Sequence, residues 1–285
     1  MGNICHKNTT TDEVLVPLEP PVAVEQAVSP VIEKPTIQVF ALMRNSHEVI
    51  RGNVLDIQSF LDNGELDDAV ESYGRLHKWM TMYQKMEEGN GDNQTPKGLF
   101  SIFDENSDGV VTEEKMRDDN VEPKGLFSIL DKNVLGIGTE EKMRDGHVEL
   151  DAIEVEMEEA IKTQDIDKIK EAFAKFTKVN ETHLQKKEEI MMPKIKAMEK
   201  SGVNMKDLMV NEILALVVDS PDFKFFVQHA NYILDKHHGG MPRVRVFDQT
   251  LWVLATPEQW RHWKVWIKGA VPATRFEEIM DATSL

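Results

Sequence analysis

The chain has 285 residues, with 50 acidic against 33 basic side chains and a formal charge of -17. That balance argues against a nucleic-acid or anionic-membrane footprint and for a soluble, cytoplasmic protein. No apolar run is long enough to span a bilayer, and a single cysteine, Cys5, excludes an intrachain disulfide and a thiolate metal cluster.

Residues 1–36 read as a disordered leader, because Pro17, Pro20, Pro21, Pro30 and Pro35 remove amide donors and block helix propagation. Gly2 and Cys5 stand where an acylation signal would place a myristoylated glycine and a palmitoylated cysteine, although His6 replaces the preferred serine or threonine. Acylation there would give weak membrane association.

Apolar spacing predicts a first helix from Ile37 to about Asp62, with Phe40, Met43, Ile50, Val54, Ile57 and Leu61 on one face and His47 at its centre. A second helix runs from Leu66 to about Glu88 and places His77 between Tyr73 and Met80. Residues 96–149 hold a tandem repeat of period 27: Pro96 to Ile102 recurs from Pro123 to Ile129, and Thr112 to Asp118 recurs from Thr139 to Asp145. Two copies are too few for a solenoid, so the repeat reads as a lengthened connection between bundle helices. Asp104, Asn106, Asp108 and Gly109 resemble the opening of an EF-hand loop, but Lys115 occupies the twelfth position, where a bidentate glutamate is required.

A third helix is expected from about His147 to Lys162, carrying Leu150, Glu154, Met157 and Ile161 with Asp151 one turn after His147. A fourth begins near Ile166 and presents Ile169, Phe173, Phe176, Asn180, His183 and Ile190. Glu188 and Glu189 follow, and Pro193 is expected to disturb or end the helix. Residues 201–285 add further helices, one of them opened by the capping box of Thr256 and Gln259 and carrying Trp260, Trp263 and Trp266 as packing residues. The fold expected is all-α: a four-helix up-down bundle over residues 37–200, with a C-terminal helical extension packed on it.

His47, His77, His147 and His183 lie in four successive helical stripes that face one interior in an antiparallel bundle. Asp151, Glu154, Glu188 and Glu87 accompany them, and buried carboxylates are costly without a cation. Nitrogen and carboxylate ligands without thiolate suit iron, with manganese or zinc as alternatives.

Over Val39 to Met198 these residues resemble the hemerythrin-like cation-binding bundles. The likeness rests on His47 within Met43-Arg44-Asn45-Ser46-His47-Glu48, His77 thirty residues on, the His147 and Asp151 pair, and His183 with Glu188, Glu189 and Pro193. It implies a four-helix bundle holding one or two irons through His47, His77, His147, Asp151, His183 and Glu188, with a small diatomic ligand such as oxygen. Two departures stand out. Thr81 occupies the place of the family's bridging glutamate, four residues after His77, and Asp151 stands for a histidine. Glu87 and Glu88 lie about 15 Å along the helix from His77, too far to replace that bridge, and Glu188 is rotated by about 140° from His183. Three functions follow: an iron protein for storage, sensing or oxygen chemistry; a helical interaction protein with a degenerate metal site; or a calcium-responsive module.

Overall fold

The computed structural model describes residues 39–89, 125–133, 139–237 and 241–283. The leader, the acylation positions Gly2 and Cys5, the EF-hand-like loop and the first copy of the repeat lie outside the described residues. All the regular elements described are helices.

Helices α1 (Val39–Asn63) and α2 (Leu66–Glu88) form a hairpin. Its turn closes where Gly64 adopts φ +79, with the Gly64 amide bonding Leu61 and the Glu65 amide bonding Phe60. A left-handed glycine lets a helix end and the chain reverse within two residues. Helix α3 (Leu126–Asn133) packs against α2 and α4. Helices α4 (Thr139–Lys162) and α5 (Ile166–Lys200) make a second hairpin, in which the Asp165 carboxylate caps α5 by accepting from the Asp167 and Lys168 amides.

The two hairpins close on each other through α1 and α5. Polar side-chain pairs report their directions. His47 meets Glu188 and Arg51 meets Glu181, so α1 and α5 run antiparallel. His77 meets Glu154 and His147 meets Glu88, so α2 and α4 do too. Val49, Ile57, Leu61, Leu76, Trp79, Phe173 and Phe176 are buried in the core with almost no exposure.

Two boundaries differ from the sequence reading. Helix α4 starts eight residues before His147, because Met143 is fully buried and carries the apolar stripe into the second copy of the repeat. Helix α5 runs through Pro193 to Lys200. Pro193 is itself exposed, while Met191, Ile195 and Met198 are buried around it, so packing holds a helix that local chemistry would stop.

The chain continues through a short α6 (Met205–Leu208), a π turn at Met209–Ile213 and a 3-10 turn at Leu214–Leu216. Helices α7 (Phe223–His237) and α8 (Met241–Leu254) rest on α1, α9 (Pro257–Lys268) packs on α7, and α10 (Ala273–Thr283) packs on α8. Both halves of the Thr256 and Gln259 capping box form, with Pro257 in the first turn of α9. Trp79 of α2 stacks flat on Phe226 of α7, with ring centroids 4.1 Å apart. His229 of α7 bonds Asn53 of α1 at 2.9 Å. Between α7 and α8, the Asn231 amide donates to Asp248 at 3.0 Å, and burial pushes the Asp248 carboxyl up to about 8. No described helix is long and apolar enough to cross a membrane.

Candidate functional site

The interior of the four long helices contains a polar cluster at the end of α2. Its members are His47 on α1, Tyr83, Glu87 and Glu88 on α2, His147 on α4, and His183, Lys187 and Glu188 on α5. All but Glu88 and Glu188 are buried. The stripes that pack the core also place these groups: on α5, Asn180, His183, Lys187 and Met191 succeed one another at spacings of three and four on the buried face.

His47 is held at both nitrogens. Its Nδ1 lies 2.9 Å from Glu188 and its Nε2 lies 2.9 Å from the Tyr83 hydroxyl. A carboxylate only accepts, so Nδ1 carries the proton and Tyr83 donates to Nε2. Burial draws the His47 pKa down, the Glu188 bond opposes it, and the net shift is downward. Glu188 faces the rim, where Arg51 bonds it at 2.9 Å and also grips Glu181. The His47 bond and the Arg51 guanidinium outweigh burial and hold the Glu188 carboxyl down at about 2.

His147 donates from Nδ1 to Glu88. That bond leaves Nε2 facing inward, 3.9 Å from Glu87. A carboxylate behind one ring nitrogen sets the tautomer and aims the other, the arrangement that metal-binding histidines use. The His183 ring lies 4.8 Å from the His147 ring, and burial with the Lys187 charge pulls its pKa far below the ordinary histidine value. His183 is also pressed against helix α4. A Cβ placed on Gly146 would sit 2.3 Å from its Nδ1.

Among the described residues, four donor or acceptor atoms here have no hydrogen-bond partner: His147 Nε2, both ring nitrogens of His183, and Glu87 Oε1. Such groups are rare in a protein interior, because each costs its desolvation without a compensating bond. The other oxygen of Glu87 meets the Lys187 ammonium at 2.5 Å, and that ammonium lies 5.1 Å from the centre of the Tyr83 ring. An apolar cavity of about 30 Å³, lined in part by Leu42, Met43, Tyr83 and Glu87, adjoins the cluster.

The six residues expected at a metal centre divide. His47, His147, His183 and Glu188 join this cluster. His77 does not: it pairs with Glu154 at 3.4 Å, two to three turns along α2 from Glu87. Burial lowers the His77 pKa, but the Glu154 bond and the charges of Glu154, Glu158 and Asp151 reverse it, and the net shift is upward. Asp151 lies within reach of the same charges. Burial and Glu154 raise its pKa against the opposing pull of His147 and His77.

Sequence reasoning set Glu87 and Glu88 aside and missed Tyr83 and Lys187. Two signals were there to be read. Tyr83 and Glu87 are four apart, one above the other on α2, and Lys187 is a charged residue at an apolar position of the α5 stripe.

Among the described residues, no three His, Cys, Asp or Glu side chains converge closely enough to be recognised as a metal-holding group. The donor set nevertheless fits one in its chemistry: two imidazoles with unpartnered nitrogens and a carboxylate with an unpartnered oxygen. Comparison of the chain with protein-family models, with curated proteins and with solved structures finds no match.

Proposed function

We propose that the chain is a hemerythrin-like four-helix bundle whose interior cluster takes a transition-metal cation, iron by its donor chemistry, in a storage, sensing or oxygen-related role. The observation that supports this reading is the set of four unpartnered atoms on His147, His183 and Glu87, because buried donors without partners are what a bound cation would satisfy. His147, His183 and Glu87 would hold the ion, with Glu88 orienting His147. When bound, the metal supplies a Lewis-acidic, redox-active centre. The adjoining apolar cavity suits a small diatomic ligand such as oxygen.

The α2 register of the resemblance then moves. The α2 residue of the site is Glu87 in place of His77. Metal analysis after purification without chelator is expected to find about one iron per chain. The double substitution His147→Gln and His183→Gln should remove it while the far-ultraviolet spectrum stays helical. A chain that takes up no metal during anaerobic ferrous loading would defeat the reading.

A second reading, a helical interaction protein with a degenerate site, is favoured by Lys187, since its ammonium already neutralises Glu87. The same loading experiment separates the two.

A further inference from the structure

Resting on that metal reading, we propose that Lys187 is a resident counter-cation that competes with a metal ion for Glu87 and thereby sets how tightly the bundle takes metal. Glu87 and Lys187 face each other in the interior, with side chains 1% and 5% exposed and 2.5 Å between Oε2 and Nζ. A buried carboxylate is strongly destabilising without a positive partner. The other charged groups around it are already engaged: Glu88 with His147, and Glu188 with His47 and Arg51. Lys187 is therefore the cation that lets Glu87 remain inside the bundle.

A metal ion ligated by Glu87 would place a second positive charge beside this ammonium in a medium of low dielectric, where like charges repel strongly. Binding at the unpartnered Oε1 is therefore opposed by the ammonium on Oε2, and tightens when the ammonium withdraws from Glu87. The four-carbon stem makes that withdrawal feasible, since it can draw back the head group without moving α5. Lys187 is a positioning and selectivity residue in this scheme; it does not ligate the ion.

The experiment is a calorimetric titration of the full chain with cobalt(II), as a stand-in for ferrous iron, alongside Lys187→Met and the exposed-position control Lys186→Met. Melting temperatures are taken with chelator and with cobalt. Lys187→Met should bind cobalt at least about tenfold more tightly than the wild type. It should also melt lower than the wild type in chelator and regain the difference with cobalt, whereas Lys186→Met should match the wild type in both respects. Binding by Lys187→Met alone would equally support the competition while defeating the metal reading of the wild-type chain. Equal affinity of wild type and Lys187→Met would overturn the inference and leave the metal reading standing. No binding by either would overturn both. Should Lys187→Met fail to fold, Lys187→Gln, which keeps a donor for Glu87 without the charge, carries the same comparison.

Discussion

Gly146 on α4 touches the His183 ring on α5 so closely that a methyl group on its Cα would lie 2.3 Å from Nδ1. Replacing glycine by alanine in a helix interior ordinarily gains about 1 kcal/mol. Here the clash opposes that gain, because His183 is buried and its ring already lies against the His147 ring. Gly146→Ala is expected to lose about 1 to 3 kcal/mol in a denaturant melt and, under the proposed metal reading, to weaken metal uptake by displacing the ring. An alanine variant as stable as the wild type would show that the ring has room to move.

Tyr83 gives a second prediction. Its hydroxyl is the donor to His47 Nε2, and removing it leaves a buried ring nitrogen unpaired. Tyr83→Phe should cost about 1 to 3 kcal/mol. Nitrogen NMR should still report His47 protonated at Nδ1, because Glu188 fixes that tautomer from the other side. A tautomer that follows the phenol would mean Tyr83 sets the ring.

The histidines should also separate by titration. His77 gains charge stabilisation from Glu154, so its folded pKa lies above its unfolded value. The stability it adds is complete below the unfolded pKa and is lost as pH rises through the folded one. His47 and His183 behave oppositely: their folded pKa values are depressed, and their contribution falls away as pH drops below the ordinary histidine range. Proton NMR of the ring signals should show His77 titrating above about 6.5 while His47 and His183 stay neutral there. In Glu154→Gln the His77 midpoint should fall below that mark.

Asp248 provides a pH test away from the cluster. Its carboxyl is wholly buried against Asn231, and Asp248 Oδ2 and Asn231 Oδ1 both lack partners among the described residues. A proton on the carboxyl removes the cost of burying its charge. With a folded pKa of about 8, the protonated form is the one the fold accepts. Stability from this group is therefore greatest below about pH 4 and declines as pH rises to about 8. Asp248→Asn should flatten that slope and raise stability at pH 8 by up to about 5 kcal/mol, read from chemical denaturation across pH.

The helices were legible because their stripes are long and regular. The limits were missed where packing overrides local signals: Met143 extends α4 into the repeat, and Met191, Ile195 and Met198 carry α5 past Pro193. The site was half legible. His47, His147 and His183 were found from their stripes, since an imidazole at a core position is conspicuous. The register of α2 was not, because His77 drew attention a long way from the level at which the other rings meet, and Tyr83 reads as an ordinary aromatic core residue. Lys187 escaped for a different reason. A lysine in a helix is assumed to reach solvent, and it is the ion pair with Glu87 that shows this one turned inward.

The flat stack of Trp79 on Phe226 binds α7 to the hairpin that carries Glu87, and the His229 bond to Asn53 does the same for α1. A chain cut after Lys200 would lay bare an indole face and take His229 away from the Asn53 side-chain oxygen. The tryptophan-rich end is thus a wall of the same molecule that houses the histidines. Heat or denaturant should melt the two together in a single transition, and indole emission and helical signal should fade at one midpoint.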